Sequence, residues 1–341
     1  MMEFGPVATD QADGAILAHS VMLNGHRLRK GQVLGPADIA SLRAAGIAQV
    51  VAARPGPDDV PEDAAAARLA AALVPDPAAA GLVLTDPFTG RVNLNAVAPG
   101  IVLLDPVAIH ALNRIDPAIT LATLAPFARV SAGTLVGTVK IITYAVPQAA
   151  LAQAEALAQR AIRVQPVVRR SAGLLMTDVP GQQDRLIAKG RRAVEARLRA
   201  LGMTLAGVAT VPHETDAMAK ALANLPGEML LILTGSATSD PCDTAPQAVR
   251  AAGGTVLRFG MPVDPGNLLF HGHLGSRPVI GLPGCARSPA LNGADWVLER
   301  LACGLTLTDD DIAAMGVGGL LKEIAVRPQP REAQQGRPTH G

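Results

Sequence analysis

From Val164 onward the chain alternates between short apolar runs and amphipathic stretches, and this alternation restricts the fold more than any other feature. The apolar runs lie at 172–177, 205–211, 229–233, 255–260 and 278–282, each of strand length. Helical patterns fill the intervals at 184–201, 214–224, 244–252 and 288–302. In the first of these, Ile187, Val194, Leu198 and Leu201 fall on one face. Such alternation predicts an α/β fold in which a mostly parallel sheet is covered by helices on both sides. Composition agrees. The chain is 49% hydrophobic but only 2% aromatic, so its apolar mass is Ala, Val, Leu and Ile, which suits interleaved helices and strands better than a β-sandwich.

The preceding half is less regular. Residues 11–53 read as a small folded piece: the Asn24-Gly25 dipeptide between two strand-like runs marks a hairpin. A short helix then opens at Pro36, stops at Gly46 and is followed by a strand. A proline-broken stretch separates this piece from an Ala-rich helix at 63–74. Residues 82–146 read as extended and turn-rich, with two strands around Gly133, and 148–162 as a connecting helix. The expected organisation is an N-terminal α+β region at 1–164, an α/β domain at 165–305 and an extension at 306–341. The polar, Pro-rich tail is expected to be disordered from about 327.

Several function classes are disfavoured. A net charge of +1 gives no general attraction to nucleic acid or anionic membrane, and one Trp, one Tyr and five Phe make no base-stacking platform. The N-terminus lacks the basic start and apolar core of a signal peptide, and no run approaches the ~20 residues of a membrane span. Three cysteines, Cys242, Cys285 and Cys303, form no C-x-x-C pair. A cytoplasmic location is expected.

In open α/β sheets, ligands sit beyond the carboxyl ends of the strands, where loops enter helices. Four segments occupy that place: "MTDVPG" (176–181), "TGSATSDPCD" (234–243), "MPVDPGN" (261–267) and "LPGCARSP" (282–289). A helix N-terminus with unpaired N–H groups attracts anions such as phosphate. Gly235 permits close backbone approach, and Ser236, Thr238 and Ser239 supply donors. The plain alternative is that Asp243 or Thr244 is an N-cap and that Ser288-Pro289 is an N-cap and first helical residue. Neither G-x-G-x-x-G after the first strand nor G-x-x-x-x-G-K-[ST] occurs, which argues against dinucleotide and Walker-type sites.

The ordered set "TGSATSDPCD", "MPVDPGNLLFHGHLGSRPVIGLPG" and the helix after it resembles the molybdopterin-binding domain shared by gephyrin and bacterial molybdopterin molybdenumtransferases. Residues 172–303 carry most of the likeness. The run from "GAILAH" through "RLRKGQVL" to "GIAQVV" resembles the family's N-terminal piece. The resemblance implies a three-layer α/β/α domain that binds molybdopterin or its adenylylated form, with molybdate insertion and AMP release assisted by Mg²⁺ as the reaction. It assigns Gly235, Ser236, Thr238, Asp243, Asp264, Pro265, Gly266, Asn267, Pro283, Gly284 and Ser288 to the ligand loops. Thr177 and Asp178 (where the family has Ser-Gly-Asp-Glu), Thr234 and Arg287 are further ligand-binding candidates in the same segments. Asp240 and Asp243 are the candidates for catalytic assistance, Asp243 also for the metal, because carboxylates suit Mg²⁺. The chain departs from the family pattern where Asn267 stands for a lysine, Leu268 for a proline and Cys285-Ala286 for Asn-Pro. The missing lysine favours a non-catalytic carrier serving a nucleotidyltransferase or a molybdoenzyme. A third reading is a nucleotide pyrophosphatase of the competence-damage type. The family's assemblies imply a homo-oligomer.

Other residues carry weaker signals. Cys242 and Cys285 lie in two of the four loops, as packed residues or as soft ligands beside a dithiolene metal. His271 and His273 share a strand face, a hairpin surface more readily than a metal pair. His213-Glu214 opens a helix near the same rim, first as a capping segment and second as a ligand contact. Lys189, Arg191, Arg192, Arg197 and Arg199 read as a solvated helix face. The guanidinium of Arg287 suits a phosphate.

Overall fold

The computed structural model describes residues 2–23, 25–178 and 184–321, and the chain forms two compact units, Met1–Val167 and Val168–Gly341. The expected disorder from about 327 lies outside the described residues, as do Asn24 of the hairpin and Val179–Gly181 of the first loop.

The first unit begins with an antiparallel sheet in which Gln49–Arg54 lies between Glu3–Ala8 and Ile16–Leu17. The strands flanking Asn24-Gly25, Val21–Leu23 and His26–Leu28, pair as a hairpin, and the helix Pro36–Ala44 buries Ile39 and Leu42. Beyond it, a four-stranded and a three-stranded sheet share one apolar core with the helices Glu62–Leu73 and Gln148–Ala158. The reading of 82–146 as extended and turn-rich needs correction in one place: Pro106–Asn113 is a helix that buries Ile109 and Leu112. Asp105 caps it, accepting the Ala108 N–H at 3.0 Å, and Pro106 pre-sets its first turn. The two strands around Gly133 form but join different sheets.

The second unit is a three-layer α/β/α domain. Its elements are β1 (Ser171–Asp178), α1 (Asp184–Ala200), β2 (Thr204–Pro212), α2 (Thr215–Asn224), β3 (Met229–Leu233), α3 (Thr244–Ala251), β4 (Thr255–Phe259), β5 (Phe270–Leu274), β6 (Arg277–Gly281), α4 (Gly293–Ala302) and α5 (Asp309–Ala314). The strand order is β2-β1-β3-β6-β5-β4. The first four strands are mutually parallel, and β5 is the reversed strand between β6 and β4. All five residues of β3 are buried, as an apolar run in a doubly covered sheet requires. Leu230, Ile232 and Val279 pack under Met218 and Leu222 of α2 and Ala248 and Val249 of α3. On the opposite face α1 approaches so closely that a Cβ on Gly190 would lie 2.7 Å from Leu233 Cδ2.

Two expectations change. The helix predicted over 288–302 starts only at Gly293, behind a separate 3₁₀ turn at Gly284–Arg287. Ser288 precedes a proline and is extended (ψ 147°), so Ser288-Pro289 does not open the helix. Asn292 caps it instead, in a reciprocal arrangement with Asp295. The His271–His273 hairpin is not wholly a surface: His271 is buried opposite Arg258 and Ile280, and burial lowers its pKa, while His273 is exposed.

Gly281 and Phe270 face each other across β6 and β5, and a methyl group at Gly281 would overlap the Phe270 ring. Gly281→Ala is therefore expected to destabilise the second unit by about 1–3 kcal/mol through overpacking. Urea unfolding would check this, with Phe270→Leu in the same background recovering part of the loss.

Candidate functional site

Because β1, β2, β3 and β6 run parallel, their carboxyl ends deliver Thr177, His213, Thr234 and Leu282 to one edge of the sheet. Thr177, only 1% exposed, joins three of these strand ends. Its Oγ1 accepts the Gly235 N–H at 2.7 Å and lies 3.1 Å from His213 Nδ1. The Gly235 bond leaves the hydroxyl hydrogen for Nδ1, an arrangement that fits an imidazole protonated on Nε2. The His213 N–H in turn donates to the Asp178 carbonyl at 3.2 Å.

The loop after β3 is anchored at both ends. Its first carbonyl, on the buried Thr234, accepts a hydrogen bond from Arg287 Nη2. Its last residue, Asp243, caps α3: Oδ1 accepts from Thr244 N–H at 2.7 Å and Oδ2 from Ser239 N–H at 3.0 Å. Burial alone would raise the Asp243 pKa. The two N–H donors and the nearby His213 outweigh it, so the carboxyl sits below its ordinary 3.8. Asp240 Oδ1 accepts the Cys242 N–H at 2.7 Å and shapes the turn between them. Thr238 is buried, while Ser236, Ser239 and Asp240 are exposed at the tip.

The loop after β6 is held from beneath by Arg197 of α1, which is 8% exposed. Its Nε donates to Asp295 Oδ1 at 2.6 Å. Nη1 reaches the carbonyls of Ala193 (3.3 Å) and Ala286 (2.8 Å), and Nη2 those of Ser288 (2.9 Å) and Ala290 (3.0 Å). All five guanidinium donors are thus used. This corrects the reading of Arg197 as part of a solvated face. The signal was present: Arg197 follows Val194 by three residues and precedes Leu201 by four, which places it on the apolar face. The same loop carries Arg287, whose pKa burial lowers, along with buried Pro283 and exposed Gly284 and Cys285.

The loop between β4 and β5 is fastened elsewhere. Across the cis Asp264–Pro265 bond the chain turns so that the Pro265 carbonyl accepts the Gly293 N–H at 2.8 Å. Gly266, at φ 140°, lies so near that a Cβ would stand 2.6 Å from Gly293 N. The Asp264 N–H donates to Gly319 and its carbonyl accepts from Leu321, each at 2.8 Å. Asp264, Pro265 and Gly266 are thereby bound to the first turn of α4 and to 319–321, with Asn267 exposed. Thr177, His213, Thr234, Gly235 and Arg287 form one connected network at the rim, and Asp243 lies within electrostatic range of it through His213. Among the described residues, no three His, Cys, Asp or Glu gather at metal-binding distances. No helix among them is long and apolar enough to cross a membrane.

Fold and rim together define an α/β domain whose parallel strands gather their following loops at one edge of the sheet. Residues 185–302, within the second unit, match the family described as a probable molybdopterin binding domain. Residues 6–54 match a domain of unknown function (DUF8806). Among solved structures the chain is similar to the molybdopterin biosynthesis MoeA protein from Pyrococcus horikosii, at 13% identity over 89% of this chain and 75% of that one, with a TM-score of 0.30. No curated protein matches the chain.

Removing the Arg197 side chain leaves Asp295 buried without its cation and frees three loop carbonyls. Arg197→Met is expected to cost about 3–5 kcal/mol. Chemical denaturation should show Arg197→Lys recovering little of it, because one ammonium cannot serve five acceptors. Asp243 yields a pH prediction. Its lowered pKa contributes stability that is complete above pH 3.8 and is lost as pH falls through the folded value. Asp243→Asn should therefore flatten the decline of melting temperature below about pH 4 relative to the unsubstituted chain. Equal slopes would remove Asp243 from the acid response.

Proposed function

We propose that the protein works in molybdenum cofactor biosynthesis by binding molybdopterin, or its adenylylated form, at the carboxyl rim of β1, β2, β3 and β6. One observation carries this reading: Arg287 lies across the start of the 234–243 loop, bringing a guanidinium to the glycine and hydroxyl segment Gly235–Thr238. The pterin's phosphate would be held there, between Arg287, the Ser236 hydroxyl and the backbone of the loop. The N-terminus of α3 is a poorer seat, because the ionised Asp243 already occupies it. Pro283, Gly284 and Ser288 would border the pterin from the β6 side, and Thr177 and Asp178 from the β1 side.

Binding is favoured over molybdate insertion because the two candidate carboxylates shape the loop. Both oxygens of Asp243 and one of Asp240 accept backbone N–H groups. Magnesium, where a reaction uses it, would enter on the ligand's phosphates with the free oxygen of Asp240 as a protein contact. This is the reading of a carrier.

Titration with molybdopterin and with its dephosphorylated form tests the placement. The unsubstituted protein should prefer the phosphorylated form at least about tenfold, a difference of about 1.4 kcal/mol. Arg287→Ala should lose that preference while keeping its far-ultraviolet spectrum. An unchanged preference would put the phosphate elsewhere. Molybdate-dependent release of AMP from adenylylated molybdopterin would replace the carrier reading with insertion.

A further inference from the structure

The first unit contains a cavity of about 560 Å³ that the proposed reading does not use. The core residues Leu73, Val74 and Ile162, each 2% exposed or less, close its floor, and its accessible apolar wall is Pro75, Ala79 and Ala80. Its mouth carries Arg160 and Arg163, both exposed and neither engaged with a carboxylate among the described residues. Asp76 also lines the wall, but its Oδ1 is committed to the Ala79 N–H at 3.0 Å. Two cations against one partly occupied carboxylate leave the mouth positive.

Arg160 stands in the left-handed backbone region, at φ 58°, where an L side chain is strained and glycine is not. Arg163 sits on the strand Ile162–Pro166, next to a floor residue, so its backbone is fixed by pairing with Gly100–Leu104. The volume lies in the ~300–1,000 Å³ range of small-molecule sites, which combine an apolar lining with a few placed polar groups. A neutral apolar ligand would leave the guanidinium pair without a role, and a fully polar one would leave the wall of Pro75, Ala79 and Ala80 uncovered.

We propose that this cavity binds a small amphipathic anion, its alkyl or aryl body on the apolar wall of Pro75, Ala79 and Ala80 and its carboxylate or phosphate head between Arg160 and Arg163. The guanidinium fork matches either head group.

The test uses the full chain and anilinonaphthalene sulfonate, a fluorescent aryl anion, displaced by octanoate, octyl phosphate or octanol. Saturable dye binding is expected, with at least one of the two anions displacing it at a concentration tenfold or more below that of octanol. The more effective anion identifies the head group. Ala79→Trp, which fills the wall, should abolish dye binding. Arg163→Gln should raise the displacing concentration about tenfold. Arg160→Gly separates binding from folding: it should weaken displacement similarly while the protein melts at the same or a higher temperature. Octanol competing as well as the anions, dye binding unchanged in Ala79→Trp, or no saturable dye binding would each overturn the proposal.

Discussion

The rim depends on one buried cation. Arg197 rises from α1 into the space beneath the β6 loop and satisfies Asp295 together with the carbonyls of Ala286, Ser288 and Ala290. Ala286 is buried, and its carbonyl would be unpaired there without this donor, at about 1–3 kcal/mol. The guanidinium therefore decides the path of the loop: it draws 286–290 inward and delays the helix to Gly293. It also fixes where Arg287 stands, since that residue lies within the stretch being held. Asp295 serves two masters, because its second oxygen accepts the Asn292 N–H at 2.8 Å. The start of α4 and the shape of the loop are consequently one structural fact rather than two.

A second constraint is set by charge. Parallel strands bring one edge of the sheet together, but the residues there need not share a sign. Asp243 is held ionised by N–H donors, and His213 and Arg287 stand on other loops around it. An anion at this edge would therefore be repelled least on the Gly235–Thr238 side, away from the Asp243 carboxylate. By resemblance a positive group is expected on the β4–β5 loop, where this chain has Asn267. Two arginines instead hold the 234–243 loop, Arg287 at the Thr234 carbonyl and Arg250 at the Pro241 carbonyl.

The architecture of the second unit was legible because its signals are periodic and repeated. Five apolar runs and the first three helices appear where the alternation places them, and β3 is buried throughout as a doubly covered strand should be. What could not be read depends on contacts distant in sequence. Arg197 and Asp295 are 98 positions apart, and no local pattern announces the pair. The start of α4 was misjudged for the same reason. Ser288-Pro289 is a sound local opening, but the loop's carbonyls are claimed by a side chain from another helix. In the first unit, the helix Pro106–Asn113 was missed although Asp105-Pro106 is a complete start signal, because eight residues are too few for the apolar period to show.

Thr177 shows how much of such a site can rest on a residue whose type looks unremarkable. Its hydroxyl accepts from Gly235 and can donate to His213, so it needs an oxygen with both a lone pair and a hydrogen. Valine has the same shape and neither capability. It would leave the Gly235 N–H and the imidazole nitrogen unpaired at the edge of a buried strand. Serine keeps both bonds but loses the methyl group and the β-branching that suits the strand. The hydroxyl couples the backbone after β3 to the side chain after β2, two strands that do not touch because β1 lies between them. Loops on non-adjacent strands are thereby set by a single atom, and any ligand that shifts Gly235 must also shift His213.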